Sequence, residues 1–474
     1  MGRKYDLVVF GATGVTGEYV VEEISRLTST PGYKTAPFTW AVAGRSERKL
    51  LESLRSVSEL TGIDVSQVDK IVADVSDTES LRQMASQAKV VLNVVGPFWF
   101  FGESVVKACI AEGTHHVDLS GELPFTEKIH ALYHEEARAK NVHIVGPCGY
   151  GSVPADCGVA YLQEKFEGGE VNSVVSYGTM SSTGTEKSSM FHYSTWQSII
   201  NALANTSLVN EYHKKMYTKP LPEPKHRQES KFPLHYSKEV DGWCMPYPGA
   251  DPAVVHRSQY FSFHERKQRP VQYAAYMKYP NLLVCFGISL ILIVAMLFSQ
   301  LKFTRKLLLK YPKLFSLGII SKESPTRAQL EQIKFSFTAI ASGWKEKLTE
   351  ATDEHVEAPN KKLKLVITGT NPGYRSAAII LIQTALTILQ EKDKLPALGG
   401  VYTPGYAFAK TTLVTRLNSR GLVHESNVQL SHKILLENVD RFPNPRKQPN
   451  KVGNVDNYSA YSTAVCYCRQ ILLT

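Results

Sequence analysis

The sequence predicts an α/β protein: a doubly wound parallel sheet, then a second α/β (α+β) domain carrying a hydrophobic, membrane-associating insertion. Three observations predict it. The apolar run Leu7 to Phe10 feeds a glycine-rich turn, Gly11-Ala12-Thr13-Gly14-Val15-Thr16-Gly17, and then a helical pattern through Val20, Val21, Ile24 and Leu27. Strand-like and helix-like segments then alternate to about residue 150, the order that builds a parallel sheet. Much later, residues 279–301 hold no charged side chain, although 21% of the 474 residues are charged.

The first strand and turn carry the pattern of a Rossmann dinucleotide site. Gly11 permits the tight turn, Gly14 lets the backbone approach a pyrophosphate, and Gly17 allows close packing of helix on strand. With Thr13, Val15 and Thr16 they form a loop leading into a helix N-terminus, whose free N–H groups attract phosphate. The second strand, Phe38 to Ala43, ends in Gly44-Arg45-Ser46. An acid here would hold the ribose of NAD, whereas an arginine accommodates the 2′-phosphate of NADP. Arg45 and Ser46 therefore favour NADP(H), with NAD(H) as the alternative. The bland reading makes Arg45 a solvated loop residue. The third strand, Lys70 to Ala73, ends at Asp74 beside the expected adenine. The fourth, Lys89 to Val95, places Val95, Gly96 and Pro97 at the far end of the cofactor. A helix, the strand His115 to Leu119, another helix and the strand Val142 to Val145 complete a dinucleotide-binding domain over residues 1–158.

Hydride transfer uses a positioned substrate carbon and commonly an acid or base near it. Asp118, Ser120 and Glu122 follow a strand edge and are the candidate catalytic residues, with His116 on the same side of the strand. The competing structural reading makes Asp118 and Glu122 caps of the next helix. Tyr161 and Lys165 have the spacing of a short-chain reductase pair, but they sit in a helix where Tyr161 looks like a packing residue. Ser-His-Asp, HExxH and P-loop patterns do not accompany these groups.

The charge is +10, from 54 Lys+Arg against 44 Asp+Glu, which favours anionic partners. Zinc-finger, homeodomain and RNP-like spacings are missing, so no nucleic-acid partner is expected. Seven scattered cysteines, of which only Cys466 and Cys468 are close, form neither a disulfide framework nor a metal site. The N-terminus has no signal-peptide pattern, and Asp6 stands where myristoylation after Gly2 wants Ser or Thr. A cytosolic start is the expectation.

Leu282 to Phe298 is interrupted only by Gly287 and Ser289. As a helix it spans about 25 Å, at the short limit for a bilayer core of about 30 Å. Lys302, Arg305, Lys306, Lys310 and Lys313 follow, interleaved with Leu301, Phe303, Leu307, Leu308, Leu309 and Phe315. That mix suits a helix lying in an anionic interface. A re-entrant or monotopic anchor on the cytosolic face is favoured, at a lipid droplet monolayer or the endoplasmic reticulum, over a buried core helix. The second domain is assigned to 159–275 and 331–424, the insertion to 276–330 and a tail to 425–474. Within these, Thr179 to Gly184 reads as a polar loop facing the cleft, and 218–252 as an exposed connection. Lys334 to Ala341 and Leu363 to Thr368 read as strands, Arg375 to Leu389 as a helix packed on the sheet, and Asp440 to Tyr458 as disordered.

Taken in order, GATGVTG (11–17), AGRS (43–46), NVVGPF (93–98), VDLSGE (117–122), GPCGYGSVPAD (146–156), TNPGY (370–374) and GGVYTP (399–404) resemble the saccharopine dehydrogenase-like oxidoreductases. The resemblance covers roughly residues 5 to 424. It implies a Rossmann domain, a second α/β domain that shapes the substrate cleft and often a homodimer, and a nicotinamide-linked redox reaction. Gly151 departs from the family, which commonly has an acid there. The first functional reading is an NADP(H)-dependent oxidoreductase at a lipid surface with a hydrophobic substrate. A dinucleotide-binding scaffold without turnover and an amino-acid dehydrogenase of the saccharopine type are the alternatives. The last lacks the paired arginines that would clamp carboxylates.

Overall fold

The computed structural model describes residues 2–32, 37–184, 191–323 and 325–429. Six strands alternate with helices from the start: β1 (Tyr5–Phe10), β2 (Trp40–Gly44), β3 (Asp69–Val72), β4 (Ala88–Asn93), β5 (His115–Asp118) and β6 (His143–Val145). All are parallel, and β1 lies between β2 and β4, with Leu7 level with both Trp40 and Val90. Leu7, Val8, Val9 and Phe10 are almost wholly buried, because helices cover both faces and leave no solvent side on which polar residues could alternate. The strand order reverses between β1 and β4, opening the crevice where doubly wound sheets bind ligands.

The second sheet is mixed. Its strands are β7 (Glu170–Ser182), β8 (His235–Ser237), β9 (Gly242–Pro246), β10 (Gln272–Tyr279), β11 (Ile333–Trp344) and β12 (Lys361–Thr370). The expected strands after the insertion are thus present as β11 and β12. Two other expectations are corrected. Thr179 to Ser182 continues β7 instead of forming a loop, because β11 pairs with it as far as Ile333 opposite Ser182. The connection 218–252 contains the β8–β9 hairpin, whose second strand adds to β10.

The segment 331–424, expected wholly in the second domain, is shared between the two. A short strand, β13 (Gly400–Tyr402), pairs with β6 and becomes the edge of the first sheet. Helix Ala377–Gln390 packs beneath β4 and β5 and against helix Val15–Thr28. Its residues from Ala377 to Ile388 are all buried, so it needs cover on every side, which a surface position on either sheet would not provide. Finally β14 (Val423–Gln429) pairs with β12. The expected tail from 425 therefore begins as a strand, which supplies the open edge of β12 with hydrogen-bond partners. Asp440 to Tyr458 lies outside the described residues.

The insertion joins neighbouring places. β10 runs parallel to β7, with Met277 opposite Gly178, and β11 runs antiparallel to β7 from Ile333 opposite Ser182. Both ends of the insertion therefore leave from the same end of the second sheet. Between them lie helices Leu282–Ser299, Lys302–Lys310 and Pro312–Phe315. The long helix has a mean hydropathy of 2.8, yet only 17% of it is buried, so it is not a core helix. Leu283 is 82% exposed and Phe286 63%. Its inner side is fastened: Ala295 and Leu308 join Trp196, Ile200 and Ile320 in a small core. The Trp196 indole N–H donates to the carbonyl of Leu308 at 2.9 Å.

Candidate dinucleotide and substrate site

Gly11 sits at φ +97°, and its N–H donates to the carbonyl of Ala43 at the end of β2. A Cβ at Gly17 would stand 2.2 Å from the Gly11 carbonyl oxygen, so only glycine lets helix Val15–Thr28 start this close to the turn. No side chain caps that helix, which leaves its first N–H groups for a phosphate. Thr13, Gly14 and Val15 are exposed, and Thr16 half-exposed, so the cradle is open. Its other wall comes from the end of β4, where a Cβ on Gly11 would lie 2.8 Å from Val95 Cγ2. Gly96 and Pro97 continue that wall into helix Phe98–Glu112. The residues fit a dinucleotide.

Arg45 follows β2 and is exposed. Ser46 caps helix Glu47–Thr61, its hydroxyl accepting from the Lys49 N–H at 3.4 Å. Asp74 lies in the field of Arg45, but its carboxylate accepts from the Ser76 N–H and hydroxyl at 2.9 and 2.7 Å. Those Ser76 bonds, and then Arg45, hold its pKa below the ordinary value. At this end of the crevice Arg45 is thus an exposed cation near Asp74.

The three candidate catalytic residues come together at the carboxyl end of β5, each already hydrogen-bonded. Asp118 Oδ1 accepts from the Ser120 N–H at 2.9 Å and hydroxyl at 2.6 Å. Burial pushes its pKa up to about 6, against the lowering effect of those bonds. His116 lies on the same side, 3.9 Å away, where burial lowers its pKa to about 3 and keeps it neutral at pH 7. Glu122 is tied to another helix. Its carboxylate accepts from the N–H groups of Phe98 and Trp99 at 2.8 and 3.0 Å and from the Ser198 hydroxyl at 2.8 Å. The acid expected to serve the reaction or the next helix therefore caps helix Phe98–Glu112, the one entered from β4. Tyr161 and Lys165 are not drawn into the crevice: Lys165 pairs with Glu164 at 3.0 Å at the far end of helix Ser152–Lys165.

One group of residues was marked in the sequence only through the GPCGYGSVPAD segment that holds Tyr150 and Gly151. Tyr150 and Gly151 after β6, Ser176 of β7, Tyr247, Asp251 and Phe337 of β11 line a small cavity of about 10 Å³, room for about one water. They come from five separate stretches of chain, and no spacing rule connects them.

A family model described as the saccharopine dehydrogenase NADP binding domain matches residues 7–145. A saccharopine dehydrogenase-like oxidoreductase of Homo sapiens is 37% identical over 422 residues, 89% of this chain and 96% of that protein. The lipid droplet localized protein of Caenorhabditis elegans is 36% identical, over 89% of this chain and 98% of that one. Among solved structures, apo saccharopine dehydrogenase (L-Glu forming) from Saccharomyces cerevisiae covers 90% of this chain and 100% of its own, with a TM-score of 0.52. At 14% identity that likeness shows a shared fold. The open phosphate cradle, the two-sheet architecture and near full-length similarity agree: the chain belongs to the saccharopine dehydrogenase-like oxidoreductase family, with an NADP-binding domain at its start.

Proposed function

We propose that this protein is an NADP(H)-dependent oxidoreductase held on the cytosolic face of a lipid droplet or the endoplasmic reticulum, where it acts on a hydrophobic substrate. The observation that carries the redox reading is the uncapped, open glycine cradle leading to the exposed Arg45. In this reading the N–H groups after Gly14 hold the pyrophosphate and Arg45 the 2′-phosphate. Val95 to Pro97 bound the nicotinamide half, and the bound dinucleotide supplies or accepts a hydride. In calorimetric titrations, wild-type protein is expected to bind NADPH at least tenfold more tightly than NADH. Arg45→Asp is expected to abolish that preference, through loss of about 1.5–3 kcal/mol of charged hydrogen bonding. Equal affinities in the wild type would remove the NADP assignment.

The lipid reading rests on the exposed apolar helix and its basic neighbours. A single bilayer crossing by Leu282–Ser299 would place Tyr279 and Ile333 on opposite sides, whereas both belong to one end of one sheet. Among the described residues the return path offers only helices of 9, 4 and 5 residues, too short to cross back. The helix therefore enters one leaflet from the side, with exposed Phe303, Leu314 and Leu317 beside it and Lys302, Lys306, Lys310 and Lys313 at headgroup level. The name of the Caenorhabditis elegans relative supports this surface. The double variant Phe286→Glu/Leu290→Glu is expected to abolish flotation with phosphatidylcholine–phosphatidylserine vesicles. Lys306→Gln and Lys310→Gln should each weaken it by about 1 kcal/mol, and only where phosphatidylserine is present. Unchanged flotation of the double variant would remove the anchor.

The scaffold reading draws support from one observation: Asp118, Ser120 and Glu122 are each occupied by structural hydrogen bonds.

A further inference from the structure

Helix Tyr193–Ala204 is bonded on two sides. Toward the insertion, Trp196 and Ile200 share a core with Ala295, Leu308 and Ile320. The Trp196 indole N–H and the Tyr193 hydroxyl donate to the carbonyls of Leu308 and Leu309 at 2.9 and 2.8 Å. Toward the crevice, the Ser198 hydroxyl donates to Glu122 at 2.8 Å. Glu122 also accepts from the N–H groups of Phe98 and Trp99, the first residues after the Val95 to Pro97 wall. The residue before the helix, His192, reaches the other wall. Its N–H donates to the Tyr374 hydroxyl at 3.2 Å, and the Tyr374 ring stacks on Tyr19 at 5.9 Å. Tyr19 belongs to the helix that starts at the glycine cradle. Helix Tyr193–Ala204 therefore reaches from the β1 side of the crevice to the β5 side, with the insertion on its outer face.

That position is at the nicotinamide end. Arg45 follows β2, on the far side of β1 from β4 and β5, so the adenosine half of a dinucleotide runs toward Arg45 and the nicotinamide half toward β4 and β5. A helix with its side chains is about 10–12 Å across. About that much protein separates the insertion from Glu122 and the start of helix Phe98–Glu112. The rim there is apolar: Trp99 and Phe101 are half-buried and Phe100 is 57% exposed. Leu308 and Leu309 belong to helix Lys302–Lys310, whose lysines stand at headgroup level in the lipid reading. Trp and Tyr, the two side chains that bind those carbonyls, are the types that favour a membrane–water interface.

We propose that the nicotinamide end of the crevice faces the headgroup layer across helix Tyr193–Ala204, and that the substrate is a membrane amphiphile with its reactive group at its polar end, its hydrocarbon chain remaining in the leaflet. The proposal rests on the oxidoreductase reading and on the lipid reading together. The crevice stands on the protein side of the headgroup layer. A reactive group in mid-chain would have to be lifted out of the leaflet, and each methylene moved into water costs about fourfold in the equilibrium constant. A group at the polar end needs no such lift. The aromatic rim at Trp99 to Phe101 then covers the first carbons of the chain.

The test needs no known substrate, because reduced nicotinamide is itself fluorescent. The full chain loaded with NADPH is bound to phosphatidylcholine–phosphatidylserine vesicles that carry a short-range nitroxide quencher, either on the headgroup or at the end of the acyl chain. Bound NADPH should lose most of its emission with the headgroup nitroxide and keep most of it with the chain-end nitroxide. The etheno-adenine analogue of NADP+, which fluoresces at its opposite end, should keep most of its emission with both. Phe286→Glu/Leu290→Glu, expected to bind NADPH but to leave the vesicles, should likewise keep its emission with both. Floating, NADPH-bound protein whose emission survives the headgroup nitroxide overturns the placement, as does equal quenching of the adenine analogue. Quenching by the chain-end nitroxide as strong as by the headgroup one overturns the polar-end assignment. Failure of the wild type to float overturns the lipid reading instead, and failure of the folded protein to bind NADPH overturns the oxidoreductase reading.

Discussion

Arg257→Met is expected to destabilise the protein by about 3–5 kcal/mol, the usual cost of leaving one partner of a buried ion pair behind. Arg257 is 1% exposed and its guanidinium binds Glu127, which has no exposure at all. Glu127 comes from helix Leu123–Ala139, Arg257 from helix Asp251–Arg266, and His213 approaches the same carboxylate at 3.4 Å from helix Thr206–Met216. The pair thus joins the first sheet's layer to the second domain. Methionine fills the volume but leaves a buried carboxylate without its guanidinium, with His213 at 3.4 Å beside it. Urea unfolding should show the loss, and Arg257→Met/Glu127→Met should recover most of it, since an apolar pair removes the stranded charge. If the double variant is as unstable as the single one, packing rather than charge holds this junction.

The pH dependence has a definite sign. Burial pushes the Glu127 pKa up, but Arg257 and then His213 outweigh it and hold the carboxyl below its ordinary value. In the wild type its stabilising contribution is complete above the unfolded-state pKa of about 4.3 and disappears as pH falls through the lower folded value. In Arg257→Met burial dominates and raises the folded pKa. The penalty is then present at neutral pH and fades as the carboxyl protonates in acid. The stability gap between wild type and variant should therefore begin to narrow as pH falls through the variant's raised folded pKa, above about 4.3, and narrow further below it as the wild type loses its own contribution.

Gly17→Ala is expected to weaken NADPH binding at least about 100-fold and to lower stability by about 3 kcal/mol. Alanine in a helix gains about 1 kcal/mol over glycine, so propensity alone predicts a small improvement. Contact geometry reverses the sign. The new Cβ would meet the Gly11 carbonyl oxygen at 2.2 Å and Ala12 Cα at 2.7 Å, both backbone atoms that no side-chain rotation can clear. The helix must retreat from β1, and its N–H groups retreat from the phosphate with it. Gly14→Ala supplies the contrast. Its Cβ would make an ordinary 3.5 Å contact, so thermal unfolding should be unchanged while the added methyl weakens NADPH binding at the cradle. Equal thermal stability of Gly17→Ala and wild type would show that the helix can shift at no cost.

The cofactor half of the site was legible because it is local. A buried parallel strand must be continuously apolar, a tight turn and a close helix each demand glycine, and all of this fits within Leu7 to Ile24. The places of Arg45 after β2 and of Val95 to Pro97 after β4 were legible by counting strands, since a doubly wound sheet brings every strand's carboxyl end to one edge. The apolar insertion was equally plain from its missing charges. Only pairing with β7 showed that Tyr279 and Ile333 leave from the same end of a sheet, the observation on which the proposed one-leaflet entry rests.

Composition and spacing placed Asp118 and Glu122 at a strand's carboxyl end but could not say which donors they meet. Glu122 meets Phe98 and Trp99, 24 and 23 residues earlier. Asp251 meets Ser152, 99 residues away. The sequence by itself determined the nucleotide turn, the strand that precedes it, the helix that follows and the apolar surface, because neighbours within a few residues dictate each. The tertiary structure decided the sheet joined by Gly400–Tyr402, the buried pair of Glu127 with Arg257 and the acid that reaches the cavity. These depend on contacts between distant segments, which local hydrophobic period and turn chemistry do not encode.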